Sequence, residues 1–137
     1  REENKPFIQL ISSPDEISKY SDFKIPEQLA QKWPGALTVI VPLKFPFSEK
    51  NATVAFRCPG DLWLRNVIAE CGFPIYSTSV NRSGSPVLDS VRGIEKEFAN
   101  EVDLIIDDGD KKGSLPSTIV LLENGGWKVL RQGSVIV

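Results

Sequence analysis

Residues 52–77 hold a strand, a capped helix and a second strand in close succession, and that order restricts the chain more than any other feature. "ATVAFRC" is strand-like, apolar at Val54 and Phe56. From Asp61, "DLWLRNVIAECG" places Leu64, Val67, Ile68 and Cys71 at i, i+3, i+4 and i+7, one face of a helix. Gly72 ends it in the left-handed conformation that glycine adopts readily. "PIYST" then reads as the next strand. Helices crossing a sheet are required, so the class is α/β or α+β around a mixed β-sheet.

The remaining elements agree. "KPFIQLIS" is a short buried strand. "SPDEISKY" starts a helix by three signals: Ser13 as N-cap, Pro14 at the first position and acids in the first turn. "PEQLAQKW" repeats the design with Pro26 and Glu27. "GALTVIVPL" is a β-branched strand, and "SVRGIEKEFAN" a helix. "VDLIID" reads as a strand running into the acidic turn "DGDKKG". "STIVLLE", "WKVLR" and "SVIV" read as antiparallel strands, the first two joined by a three-residue turn, "NGG".

Composition narrows the chemistry. The 137 residues suit a single domain with one core, 1–137, and 41% apolar with 25% charged residues is ordinary for a globular protein. No apolar run approaches the about 18 residues of a membrane span. Two cysteines make no disulfide framework, so a reduced, cytoplasmic setting is expected. Cys58 and Cys71 read as buried, inert thiols. Two glycosylation patterns, at Asn51 and Asn81, carry meaning only in a secreted chain. Histidine is absent, which excludes histidine acid/base catalysis, triads and most zinc sites. Methionine is absent too, so the chain is expected to be part of something longer. At a net charge of −2, any grip on nucleic acid must come from a local basic patch.

The polar burst "STSVNRSGSP", residues 77–86, exceeds what a turn needs. A strand end leading through Ser, Asn and Gly into a helix is where α/β proteins place ligands, and such groups bond phosphate oxygens. The same residues also suit a capping and turn cluster, and both readings stand. Arg57, ending a strand before Pro59, is either a solvated rim residue or a bidentate clamp on a carboxylate or phosphate. Arg131, two residues before Gly133, poses the same choice. Asp107, Asp108 and Asp110 lack calcium-loop spacing and read as a solvated turn neutralised by Lys111 and Lys112, so no metal site is expected there. Trp33, Trp63 and Trp127 read as core or rim packing.

In sequence order, "REENKP", "KWPGALTVIVP", "TVAFRCP", "STSVNRSGSP", "GSLPSTIV" and "WKVLRQG" resemble the YrdC-like family of threonylcarbamoyl-AMP synthases over nearly the whole chain. The resemblance implies a twisted mixed sheet with flanking helices. It implies condensation of L-threonine, bicarbonate and ATP to threonylcarbamoyl-AMP and pyrophosphate, for tRNA threonylcarbamoyladenosine modification, with Mg2+ accompanying ATP. It also implies partners: tRNA or double-stranded RNA, and tRNA-modification proteins. Both nucleophiles in this reaction belong to substrates, which accords with the missing histidine. By matching motifs, Arg57 and Ser117 are expected at threonine, and Arg1, Thr53, Ser79, Asn81 and Arg131 at ATP. Thr38 is expected to be structural.

The family pattern also has a strand and helix ahead of the position of Arg1, so the chain is expected to be N-terminally incomplete. Val80 and Val87 stand where the family has alanine and often a hydroxyl. Two alternatives therefore stay open: a non-catalytic RNA- or nucleotide-binding module, and a carbamoyl-transferring relative using carbamoyl phosphate.

Overall fold

The computed structural model describes residues 7–47 and 52–137. They form two compact units, one of residues 7–77 with Leu115–Val137 and one of Thr78–Ser114.

The larger unit is built on a six-stranded mixed sheet of β1 (Ile8–Leu10), β2 (Leu37–Pro42), β3 (Thr53–Arg57), β4 (Ile75–Ser77), β5 (Thr118–Glu123) and β6 (Gly126–Arg131). Across the sheet the order is β4-β1-β3-β2-β5-β6. β1 runs parallel to β3 and β2 parallel to β5, while the other pairings are antiparallel. β2 lies between β3 and β5 and is buried from Leu37 to Val41, as expected of a strand covered on both faces. β6, at an edge, is mostly exposed.

One face of the sheet carries the core. Leu37, Val39 and Val41 of β2, Val54 and Phe56 of β3, and Val120 and Leu122 of β5 alternate toward it, joined by Ile11, Leu29, Trp33 and Cys58. Each such large side chain contributes about 1.5–3 kcal/mol on burial. Trp33 is core and satisfies its polar edge by donating Nε1–H to the Leu37 carbonyl at 2.7 Å. Trp127 packs against the core from its rim, whereas Trp63 is 56% exposed.

Local signals explain the helices. A 3-10 helix spans Pro14–Lys19, its N-cap Ser13 accepting from the Asp15 amide. The "PEQLA" start yields only one turn, α1 (Glu27–Ala30), with no side-chain cap. Helix α2 (Leu62–Cys71) is capped by Asp61, which accepts from the Leu64 amide at 2.7 Å, and stopped by Gly72 at φ 77°. Its predicted apolar face holds only in part. Ile68 is buried and Leu64 and Val67 are half-buried, but Cys71 is exposed together with the rest of the last turn, Ala69 and Glu70. The reading of Cys71 as a buried thiol is therefore corrected, while Cys58 is buried as expected.

Three further expectations change. "VDLIID" forms no strand: Val102, Leu104 and Ile106 are exposed, and no described strand pairs with them, so the alternating pattern goes unused. "SVIV" adds no strand either, since Thr118 draws this tail across the start of β5. The β5–β6 turn has two residues, Asn124 and Gly125, because Gly126 already pairs with Glu123; Asn-Gly with Gly125 at φ 88° suits so tight a hairpin.

The smaller unit contains the polar loop and α3 (Val91–Phe98). Ser90 caps α3 by accepting from Gly93, and Asp110 Oδ1 accepts from the Val91 amide at 2.8 Å. Asp107 accepts from Gly109, and Asp108 pairs with Lys111 at 2.6 Å, so the acidic turn is consumed in local contacts.

Candidate functional site

The site begins as a row of paired residues. Arg57, the last residue of β3, faces Thr38 on β2; Thr38 faces Ile119 on β5; Ile119 faces Arg131 on β6. Three strand spacings separate the arginines, roughly 14 Å of backbone, a gap that two long side chains can largely close. A register shift between Ile119 and Val120 re-aims the end of β6, as bulges do at sheet edges. Ser117 stands just before β5, within reach of this row.

Arg131 is held by Ser117. Its Nε donates to the Ser117 carbonyl at 3.0 Å, and Nη2 donates to the same carbonyl at 2.8 Å and to Ser117 Oγ at 3.2 Å. Ser117 Oγ lies 2.8 Å from Thr38 Oγ1, both residues being buried. Arg57 donates Nε–H to the Gly35 carbonyl at 3.2 Å, and its two Nη groups have no partner among the described residues. Burial, and after it the nearby Arg131 charge, hold Arg57 below the usual arginine range. Among the described residues neither guanidinium meets a carboxylate. Two like charges kept together without counter-charge favour an incoming anion.

Glycines set both arginines. Gly35 donates to the Cys58 carbonyl at 2.8 Å, and a Cβ there would lie 2.6 Å from the Lys32 carbonyl oxygen, so only glycine lets "WPGALT" close over the end of β3. At Gly133 a Cβ would lie 2.5 Å from Ser117 C and 2.6 Å from Thr118 N. The Gly133 amide donates instead to Thr118 Oγ1 at 2.9 Å, and Thr118 Oγ1 donates to the Val135 carbonyl. The tail after Arg131 is thereby fixed to the strand start that carries Ser117. Sequence reading missed these two glycines as site-builders, although both lie inside the quoted motifs.

The polar loop is organised by its own side chains. Ser79 Oγ donates to Asn81 Oδ1 at 2.6 Å, and Asn81 Nδ2 donates to the carbonyls of Arg82 and Ser85. Arg82, not singled out in the sequence, ties the loop to α3: it meets Glu97 at 2.7 Å and Glu101 at 2.5 Å, and stacks 4.7 Å from the Phe98 ring centre. Those hydrogen bonds raise the Arg82 pKa and lower that of Glu101. Ser79 and Asn81 are thus neighbours, as are Arg57, Ser117 and Arg131. Thr53 is exposed at the opposite end of β3 from Arg57, and Arg1 lies outside the described residues.

Two other features stand apart. Burial pushes the Cys58 thiol up, with Arg65 opposing the shift and Glu16 adding to it. A cleft of about 450 Å³ lined by Phe23, Lys24, Gln28, Asn124 and Trp127 sits at the far end of β5 from Ser117.

A family model described as "Telomere recombination", covering the Sua5, YciO and YrdC proteins, matches residues 1–133. The chain belongs to the Sua5/YciO/YrdC family. Within the family it is 32% identical over 139 residues to a Methanocaldococcus jannaschii protein assigned as a threonylcarbamoyl-AMP synthase, covering 98% of this chain and 66% of that protein. The threonylcarbamoyl-AMP synthase of Pyrococcus abyssi is 29% identical over 143 residues, covering 98% of this chain and 42% of its own length. The chain thus spans less than two thirds of these relatives. Among solved structures, P. abyssi Sua5 complexed with L-threonine shares 30% identity at a TM-score of 0.78, over 97% of this chain and 41% of that one. E. coli YciO shares 25% at a TM-score of 0.77, over 94% of this chain and 66% of that one. The mixed α/β fold expected from the motifs is the fold of these proteins.

Proposed function

We propose that this Sua5/YciO/YrdC chain carries the anion-binding half of an L-threonylcarbamoyladenylate synthase site, a transferase acting on L-threonine, bicarbonate and ATP. The observation that carries the reading is the pair Arg57 and Arg131, Arg131 held by Ser117 and Arg57 close enough to feel its charge, with no carboxylate partner for either among the described residues. The P. abyssi relative solved with L-threonine supports an amino-acid ligand for the same fold.

In this reading the Nη groups of Arg57 hold the threonine carboxylate in bidentate fashion, and Ser117 contributes a further hydrogen bond. The threonine amine attacks CO2 derived from bicarbonate, giving a carbamate. A carbamate oxygen then attacks the α-phosphorus of ATP, the bond to the β-phosphate breaks, and pyrophosphate leaves. Both nucleophiles come from substrates, so the protein's work is positioning and charge stabilisation, for which arginine and hydroxyl donors suffice. Arg131 serves the phosphates; Ser79, Asn81 and Arg1 are read as nucleotide contacts from the family motifs, and Thr53, at the opposite end of β3 from Arg57, lies outside the arginine site.

Mg2+ would arrive as the companion of ATP. Among the described residues no group of three acids or cysteines is placed to hold a metal ion. A place in tRNA threonylcarbamoyladenosine modification follows from the reading, with tRNA and modifying proteins as partners in the cytoplasm. Among the described residues no helix is long and apolar enough to cross a membrane.

The test is pyrophosphate release from ATP, measured with and without threonine and bicarbonate. Release should require both and should vanish in Arg57→Ala. Release that ignores threonine, or survives that substitution, refutes the proposal. RNA binding with no dependence on threonine would favour the binding-module alternative.

A further inference from the structure

Hydrogen-bond accounting at Ser117 yields an assignment that distance alone leaves open. Arginine only donates, so Ser117 Oγ uses one lone pair to accept from Arg131 Nη2. The 2.8 Å contact with Thr38 can run either way. Thr38 is wholly buried, and among the described residues its hydroxyl has no other partner. Were Ser117 the donor, the buried Thr38 hydroxyl hydrogen would be left without an acceptor, at a cost of about 1–3 kcal/mol. With Thr38 as donor, its hydroxyl is satisfied and both Ser117 lone pairs are occupied. The Ser117 proton is then the one group left over. That proton belongs to a residue 4% exposed, in contact with the Arg131 guanidinium, whose charge reaches Arg57; among the described residues neither arginine has a counter-ion.

We infer that Thr38 is a positioning residue which fixes Ser117 as an obligate hydrogen-bond donor, so that the site accepts an anionic acceptor such as a carboxylate and disfavours a neutral ligand that must donate. The inference deepens the threonine reading and rests on it. Thr38 touches no ligand itself; it acts by filling the lone pair through which Ser117 could otherwise accept. Its place opposite Arg57 on the neighbouring strand puts this control in the same row as the clamp.

The experiment compares binding of L-threonine and L-threoninamide by calorimetry to the parent chain, Thr38→Val and Thr38→Ser. Valine preserves the shape and removes the donor; serine restores it. Thr38→Val should weaken threonine binding by roughly five- to tenfold, the scale of one hydrogen bond, and should narrow the preference for the carboxylate over the amide. Thr38→Ser should recover that preference even if its melting temperature falls. A merely structural Thr38 would alter the melting temperature of both variants and leave the preference ratio unchanged. An unchanged ratio in folded Thr38→Val overturns the inference alone. A parent chain that binds threonine no better than the amide overturns the functional reading, and the inference with it.

Discussion

Gly133→Ala isolates the contact that joins the tail to the strand start. The added Cβ would lie 2.5 Å from Ser117 C and 2.6 Å from Thr118 N, and closer still to the Pro116 carbonyl oxygen. All three are backbone atoms beside a central strand, so no side chain can swing aside, and the 132–135 segment must lift. Crowding of this kind costs about 1–3 kcal/mol. Lifting also breaks the Gly133 amide bond to Thr118 Oγ1 and the Ser134 amide bond to the Pro116 carbonyl, each about 1 kcal/mol. The sum is roughly 3–5 kcal/mol, a large share of the ~5–15 kcal/mol that holds a domain together. In thermal unfolding followed by circular dichroism, this corresponds to a fall of roughly 10–20 °C. Gly84→Ala is the comparison. Gly84 has φ 78° but nothing within 4 Å of a new Cβ, so it should cost only the left-handed strain, about 1–2 kcal/mol. If Gly133→Ala melts no lower than Gly84→Ala, the tail is not clamped as described.

Three other outcomes follow from particular contacts. Arg57→Met relieves the repulsion with Arg131, so it should melt within ~5 °C of the parent while losing threonine binding; a large drop in melting temperature would make Arg57 a structural residue instead. With a maleimide at pH 8, Cys71 should react at once and Cys58 only on unfolding, since one thiol is exposed and the other is buried with a raised pKa; equal rates in the native protein would contradict the packing. The Arg82 link to α3 should protect the Ser85 and Leu88 amides, which bond to the Arg82 and Val80 carbonyls. Glu101 is depressed in the folded chain, so its contribution is present above the unfolded value of about 4.3 and lost as pH falls through the folded one. Hydrogen exchange of those amides should therefore quicken, relative to intrinsic rates, both in Arg82→Ala and in the parent at low pH; protection unchanged in both would rule out the anchor.

What could be read from sequence was what local physics decides. β2 and β3 announced themselves by β-branched and alternating residues, and α2 by Asp61, its apolar spacing and Gly72. "VDLIID" misled because alternation describes a face, while a strand also needs a neighbouring backbone. Cys71 misled because helical spacing says nothing of which turns are covered. The site divided in the same way. That Arg57, Ser117 and Arg131 should lie together was expected only from the order of family motifs, since a strand-end arginine looks the same whether it is solvated or clamped. The Thr38–Ser117 bond joins residues 79 apart, and the close approach at Gly133 depends on the tail crossing β5; neither leaves a local trace.

The arginine pair can be observed without turnover. In ¹H–¹⁵N spectra of the side-chain Nε–H groups, titration with L-threonine should shift the Arg57 and Arg131 resonances together, with one dissociation constant. Signals that stay still at saturating threonine, or that follow two unrelated binding curves, would mean that these guanidinium groups do not form one anion-receiving site.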